Sequence, residues 1–258
     1  MKDIKMIFFD IDGTLVNPQT RMISERTIES LKSLRKNGIK ICIATGRGPV
    51  ALPSFEGVEF DAYITYNGSL CYNQKELILS NPISEEDLEQ IIQNAANIGR
   101  AVAVATKERL AANAWDQDLA DYYTLAKLKL EIAEDFEAAR KETVYQLMIG
   151  CRETDFDAIL QGVTGAKIAV SWDRAVDVIP KNGGKGEGIQ KVLEYYGVDR
   201  TEALAFGDGN NDIEMLRLVG TGVAMGNASQ QLKEVADEVC KTVAEDGIYH
   251  YCKEYGMI

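Results

Sequence analysis

The sequence predicts an α/β fold: an open, largely parallel sheet covered by helices on both faces, with a separate α+β domain inserted into it. Three observations carry that prediction. Short runs that are apolar almost throughout, at residues 4–9, 39–44 and 203–206, alternate with amphipathic helical segments, as expected of strands buried on both faces. Each of these runs ends in a polar or acidic cluster. The stretch from Thr45 to Lys185 is far too long for a connection within an open sheet, and it carries strand and helix signals of its own.

Taken in order, residues 4–9 form the first strand. Ser24 then caps a helix, with Ile23 and Ile28 placed as a hydrophobic staple, Ile28, Leu31 and Leu34 on one face, and Gly38 as the stop. Residues 39–44 make a second strand ending in Thr45-Gly46-Arg47, so the parallel crossover brings Thr45 beside Asp10. Residues 61–65 are a third strand, followed by an Asn67-Gly68 turn.

The texture changes near Pro82. Ser84 and Asp87 open a helix carrying Leu88, Ile91, Ile92 and Ala95, which Gly99 closes. Strand signals follow at 102–106, 144–151, 166–172 and 175–179, with helical stretches at 135–141 and 155–160. The expected division is a core of residues 1–81 and 181–258 and an inserted domain of residues 82–180. Residues 180–186 lead back into a helix bearing Ile189, Val192, Leu193 and Tyr196, stopped by Gly197. The strand at 203–206 runs into Gly207-Asp208-Gly209-Asn210-Asn211-Asp212 and a helix through Ile213, Leu216 and Val219. Outer strands at 221–225 and 238–240 and a last helix capped by Asp246 complete the chain.

With 258 residues, 46% of them hydrophobic, the chain can bury a proper core. A net charge of −12 and a pI near 4.7 argue against nucleic acid or an anionic membrane as partner. Five cysteines, widely spaced and without a Cys-x-x-Cys pair, suggest neither a disulfide framework nor zinc. Buried thiols and the lack of a long apolar segment are the basis for expecting a cytoplasmic protein.

Asp10 and Asp12 stand where the first strand ends. Two apart on an extended chain, they are expected on one face, with Gly13 allowing a sharp turn. Such a pair is tolerated if a cation lies between the carboxylates or if one keeps its proton; a simple turn cap is the bland alternative. A calcium loop of the EF-hand type fails because Leu15 and Arg21 occupy its glycine and glutamate places. A Walker loop fails at Ile179 and Gly186, although Lys185 remains a well-placed cation. His250, the one histidine, reads as a surface or packing residue. Trp115, Trp172 and the tyrosines near Tyr122 read first as core, with a pocket wall as the rival role.

Asp10-Ile11-Asp12-Gly13-Thr14, Thr45-Gly46-Arg47, Lys185 and the Gly207 to Asp212 run together resemble the four ordered motifs of the haloacid dehalogenase superfamily, and most closely its Cof-type phosphatases. The resemblance implies a Rossmann-like core with an inserted α+β cap between the second and third motifs. It implies Asp10 as nucleophile and metal ligand, and Asp12 as acid/base whose backbone carbonyl also meets the metal. Asp208 is implied as a further metal ligand, and Thr45, Gly46, Lys185 and Asn211 as phosphate-holding groups. Asp212 becomes a supporting carboxylate behind them. Mg²⁺ is the implied cofactor, which suits an all-oxygen ligand set. The implied activity is hydrolysis of small phosphorylated metabolites, sugar phosphates among them, by a monomer or weak homo-oligomer. A phosphomutase and a non-catalytic phosphate and metal sensor are the competing readings; a dehalogenase would not need Asp12. Arg47 and Lys181 are left between substrate contact and bracing or solvated roles. Gly184 departs from the family pattern, which leaves that loop's path open.

Overall fold

A computed structural model describes residues 3–170 and 172–258. The chain builds two sheets. The first takes β1 (Met6–Phe9), β2 (Lys40–Ala44), β3 (Ala62–Thr65), β4 (Leu70–Tyr72) and β5 (Leu77–Ser80) before the insertion. The second comprises β6 (Val102–Thr106), β7 (Leu110–Ala112), β8 (Val144–Ile149), β9 (Ala166–Ala169) and β10 (Val176–Pro180), and β11 (Ala203–Gly207), β12 (Thr221–Ala224) and β13 (Glu238–Val239) return to the first. The first sheet has the order β13-β12-β11-β1-β2-β3-β4-β5, parallel as far as β3 and antiparallel beyond it. The second, β7-β6-β8-β10-β9, is antiparallel throughout.

Strand alternation sorts the first sheet's side chains onto two covered faces. Ile7, Phe9, Ile41, Ile43 and Phe206 pack under α1 (Glu25–Lys36) and α9 (Gly247–Glu254). Met6, Phe8, Cys42 and Ala44 pack under α6 (Lys185–Tyr196), α7 (Ile213–Leu218) and α8 (Gln230–Val235). One face of the second sheet is closed by α2 (Glu85–Asn97) and the short helices α4 (Phe136–Ala139) and α5 (Phe156–Ile159), around Leu88, Ile91, Phe136 and Ile159. Its other face carries Ala103, Ala105, Ala112 and Met148. That face packs with α3 (Gln117–Leu125) and with Tyr66 and Leu70 of the first sheet's β3–β4 connection.

The local signals behave as their chemistry requires. The Ser24 hydroxyl accepts from Thr27 N at 3.1 Å and that of Ser84 from Asp87 N at 3.2 Å, each capping its helix. Gly38, Gly99 and Gly197 all take positive φ where a helix ends. Asp246 departs from its expected role: it precedes α9 in the left-handed region without a side-chain cap, and its carboxylate accepts from Arg26 instead. The three-residue strands β4 and β7 are too short to announce themselves, and β5, with exposed Leu77 and Ser80 at its ends, also lacks an expected counterpart. Expected strand 166–172 closes at Ala169, and Ser171 lies outside the described residues. All five cysteines are free thiols. No helix among the described residues is long and apolar enough to cross a membrane.

Candidate active site

Asp10, Thr45 and Asp208 are each the residue that immediately follows a parallel strand, namely β1, β2 and β11. The register of those three neighbours aligns their carboxyl ends, where open α/β sheets bind ligands. α6 delivers a fourth group. Its first residue, Lys185, is 1% exposed, a placement that runs against the helix dipole and against the usual solvation of lysine. Its Nζ donates to Asp10 Oδ1 and to Asp212 Oδ1, both at 2.6 Å.

Burial alone would lower the Lys185 ammonium, but the two carboxylates outweigh it and hold the group above its ordinary value. Asp10 is pushed up to about 7, first by burial and further by Asp212 and Asp12, against the pull of Lys185. Asp208 is pushed up to about 8 by burial and then by Asp10 and Asp212. Oxygens of Asp10, Asp208 and Asp212 lie within 4.8 Å of one another. Three carboxylates thus share one lysine, and the cluster lacks positive charge.

The surroundings fix these groups in place. Asp212 Oδ2 accepts from the backbone N–H of Asp208 at 2.9 Å and Gly209 at 3.0 Å, so it shapes the loop that carries Asp208. Thr14 donates to Asp208 Oδ1 at 2.8 Å. Gly13, at φ +91°, lies so close that a Cβ would overlap the Asp208 carboxylate. Gly184 sits at φ +134°, a conformation that side-chain-bearing residues rarely adopt, so the family's more usual polar residue would be strained on this path.

Asp10 and Asp12 both face the cavity described below, as expected of the strand end, but they share no cation: β1 stops at Phe9 and the chain turns before Asp12. The Asp12 carboxylate faces Arg47, accepting from Nε at 2.7 Å and from Nη2 at 2.6 Å. Each aspartate therefore has its own cation. Arg47 Nη1 also donates to Ala51 O at 3.0 Å and, across to the insertion, to Ala126 O at 3.2 Å.

Asp10, Asp12, Thr45, Gly46, Arg47, Asp208 and Asn211 all line one cavity of about 370 Å³ between the first sheet's strand ends and the second sheet. Lys185 and Asp212 sit beneath its floor, bonded to Asp10 and to the Asp208 loop. Lys181 is exposed in the turn after β10 and does not line the cavity. Tyr122 and Trp172 do line it, so the packing-first reading of these aromatics is corrected, while Trp115 is 59% exposed and belongs to neither core nor cavity. His250 sits on α9 with its ring edge-on to Tyr249, away from the cavity.

A polar hub went unread in the sequence. Asn67, in the left-handed region at φ 50°, accepts from Asn211 Nδ2 at 3.0 Å. It donates to Gln146 Oε1 at 3.1 Å and to Asp177 Oδ2 at 2.9 Å, both on the second sheet. Gln146 in turn donates to Gly46 O at 3.3 Å, and Tyr122 to Asp177 Oδ1 at 3.1 Å. Burial pushes Asp177 up to about 7 despite these donors. The signal was present: Asp177 is a lone acid inside an otherwise apolar strand, VDVIP.

The haloacid dehalogenase-like hydrolase family matches residues 7–252. The chain belongs to that family. It is 35% identical over 260 residues to YkrA of Bacillus subtilis (strain 168), covering 99% of both chains. YitU of the same organism, a 5-amino-6-(5-phospho-D-ribitylamino)uracil phosphatase, is 28% identical over 97% of both. The solved structure of BT4131, a sugar phosphatase of subclass IIB of the superfamily, superposes with a TM-score of 0.89 at 31% identity, covering 98% of this chain and 100% of the other. The haloacid dehalogenase-like chain is thus a Cof-type phosphoric monoester hydrolase with a Rossmann-like core and an α+β cap.

Proposed function

We propose that this phosphatase is Mg²⁺-dependent and hydrolyses small phosphorylated metabolites through an aspartyl-phosphate on Asp10, with residues 82–180 as the cap over the site. The observation that carries the reading is the Asp10, Asp208 and Asp212 group, buried at strand ends with Lys185 the one cation bonded to it among the described residues. Hard oxygen donors without histidine or cysteine suit Mg²⁺, and carboxyls raised by burial and mutual repulsion mark where positive charge is wanted. Asp10, Asp208 and the Asp12 carbonyl would hold the ion. When bound, it offsets the charge on the phosphate oxygens that would otherwise repel an anionic nucleophile.

The remaining work falls to side chains. Thr45, the Gly46 backbone and Asn211 hold the phosphate from the cavity, and Lys185, just beneath the floor, is the phosphate-holding cation that acts as a point charge and stays protonated. Asp10 uses Oδ2, since Lys185 engages Oδ1, to attack phosphorus in line while the alkoxide leaves and takes a proton from Asp12. Asp12 then removes a proton from the water that attacks the acyl phosphate, restoring Asp10. In its present pose Asp12 accepts two bonds from Arg47 and is no proton donor, so Arg47 must first let go. Because Arg47 also bonds the Ala126 carbonyl, cap movement is the natural trigger.

Asp10→Asn nearly preserves shape and removes the attacking anion. Neither phosphate release nor a hydroxylamine-sensitive phosphoenzyme is expected from it, and turnover in this variant rejects Asp10 as nucleophile. Undiminished wild-type turnover in excess chelator rejects the metal requirement.

A further inference from the structure

Three of the groups assigned above to the phosphate lean on one pair of buried amides. The Asn67 backbone N–H donates to Thr45 O at 3.0 Å, and the Asn67 side chain accepts from Asn211 at 3.0 Å. Gly46 packs so closely that a Cβ there would lie 3.1 Å from Asn67 Nδ2, and its carbonyl accepts from Gln146 Nε2 at 3.3 Å. Gln146 stands on β8, the central strand of the second sheet, where it is 2% exposed and lines the cavity.

These bonds run in one direction, and the direction is forced. Gly46 O can only accept, so Gln146 turns its amino group to it and leaves Oε1 for Asn67. Asn67 must then present its own amino group, shared between Gln146 Oε1 and Asp177 Oδ2, and keep Oδ1 for Asn211. Asn211 gives Asn67 one of the two hydrogens on its Nδ2. The other has no partner among the described residues and belongs to a side chain that lines the cavity, where an anion needs donors. With Asn211 turned end for end, two oxygens would face each other at Asn67 and the chain of bonds would break.

We propose that Gln146 is a positioning residue for phosphate binding: from the second sheet it sets the polarity of the chain that runs through Asn67 to Asn211, and so turns an Asn211 N–H toward the phosphate. This rests on the phosphatase reading above, with Asn211 as the group that meets phosphate. Because phosphate is common to all substrates, Gln146 belongs with the phosphate grip and not with the side chains that meet the alcohol.

The probe is inorganic phosphate, titrated calorimetrically into the full chain with excess Mg²⁺. Gln146→Leu removes both bonds and lets Asn67 and Asn211 turn, so Kd should rise roughly tenfold, as for a lost hydrogen bond to a charged group. KM should rise by one common factor for chemically different phosphate esters, with kcat little changed. In an Asn211→Ala background the chain has no end left to turn, and Gln146→Leu should raise Kd by less than about twofold further. Gln146→Glu supplies a readout that packing alone would not move. Its carboxyl, while protonated, donates to Gly46 O and accepts from Asn67 as glutamine does; ionised, it cannot. Relative to wild type at the same pH, which cancels the ionisation of phosphate itself, its Kd should be near equal at about pH 5 and roughly tenfold higher at about pH 9.

If wild type binds phosphate and folded Gln146→Leu binds it as well, the positioning role is overturned and the phosphatase reading stands. Full additivity with Asn211→Ala, or a Gln146→Glu ratio that does not move with pH, overturns it in the same way. Wild type that neither binds phosphate nor hydrolyses phosphate esters with Mg²⁺ overturns both.

Discussion

The floor and the roof of the cavity are built on opposite principles. On the floor every group is doubly held: Lys185 bonds two carboxylates, Asp212 bonds one lysine and two backbone N–H groups, and Gly13 is pressed against Asp208. On the roof, Leu110, Leu125, Leu128 and Met148 offer surface without direction. The difference separates chemistry, which tolerates little displacement of charge, from selectivity, which can drift residue by residue while phosphoryl transfer is kept. Substitutions on the floor should therefore abolish turnover on every substrate, and those on the roof should reorder substrates.

The largest effect is expected from Lys185→Met. It leaves Asp10 and Asp212 buried without their shared cation, a loss of roughly 3–5 kcal/mol when one member of a buried ion pair goes. Thermal unfolding should show the drop, and turnover should fall on every substrate alike. If Lys185→Met altered the ratio between substrates instead of the rate on all of them, the division between floor and roof would be wrong.

Asp12→Asn should come next. It keeps the nucleophile and loses proton transfer, about 10²–10⁴-fold for each assisted step. An aryl phosphate leaves without much protonation, so its first step should survive better than that of benzyl phosphate, and phosphoenzyme should accumulate with it. Equal losses on both esters would move Asp12 out of the acid role.

Asn67→Gly tests the link between the two surfaces. Glycine accepts the positive φ that Asn67 occupies, so backbone strain does not confuse the result. The change removes the acceptor of Asn211 and the donor to Asp177 and Gln146, costing about 1–3 kcal/mol for buried partners left unpaired. A rise in KM for every substrate is expected, since a phosphate-holding group loses its support.

The sequence showed the floor better than the roof for a physical reason. Polar and charged residues at the end of apolar runs are conspicuous because burial makes them costly, so Asp10, Thr45 and Asp208 stood out before any geometry was known, and Lys185 stood out through its place among the ordered motifs. The Asp12–Arg47 pair did not, because it depends on the path of the turn after Phe9, which an apolar run that ends there does not specify. Nor did the three-residue strands β4 and β7, too short to display a period. The roof was least legible of all: a leucine or tyrosine that lines a cavity has the same spacing as one that packs in a core. Asn67 shows the same blindness for polar groups, since Asn-Gly after a strand is enough to explain a turn and gives no hint of three partners.

The smallest effect on turnover belongs to Asp177, whose change concerns the pH dependence of stability. Its carboxyl sits at about 7 in the fold, above the ordinary 3.8, because burial disfavours the charged form more than Asn67 and Tyr122 favour it. The folded protein therefore holds a proton there that the unfolded chain releases near pH 4. Stability should decline as pH rises from about 4 to about 7 and then level off, because the raised group favours the folded state only where it stays protonated. The gap between the two values corresponds to at most ~4 kcal/mol, reduced wherever the unfolded reference is itself perturbed. Asp177→Asn replaces the carboxyl with a group that never ionises and still offers an oxygen to one of its two donors. Its unfolding free energy should be flatter than wild type between pH 4 and pH 7, with the two curves differing most at the alkaline end. A slope identical to wild type would mean that the cap meets the core with Asp177 already charged, and the Asn67 hub would then have to be read as an ion site rather than a neutral hinge.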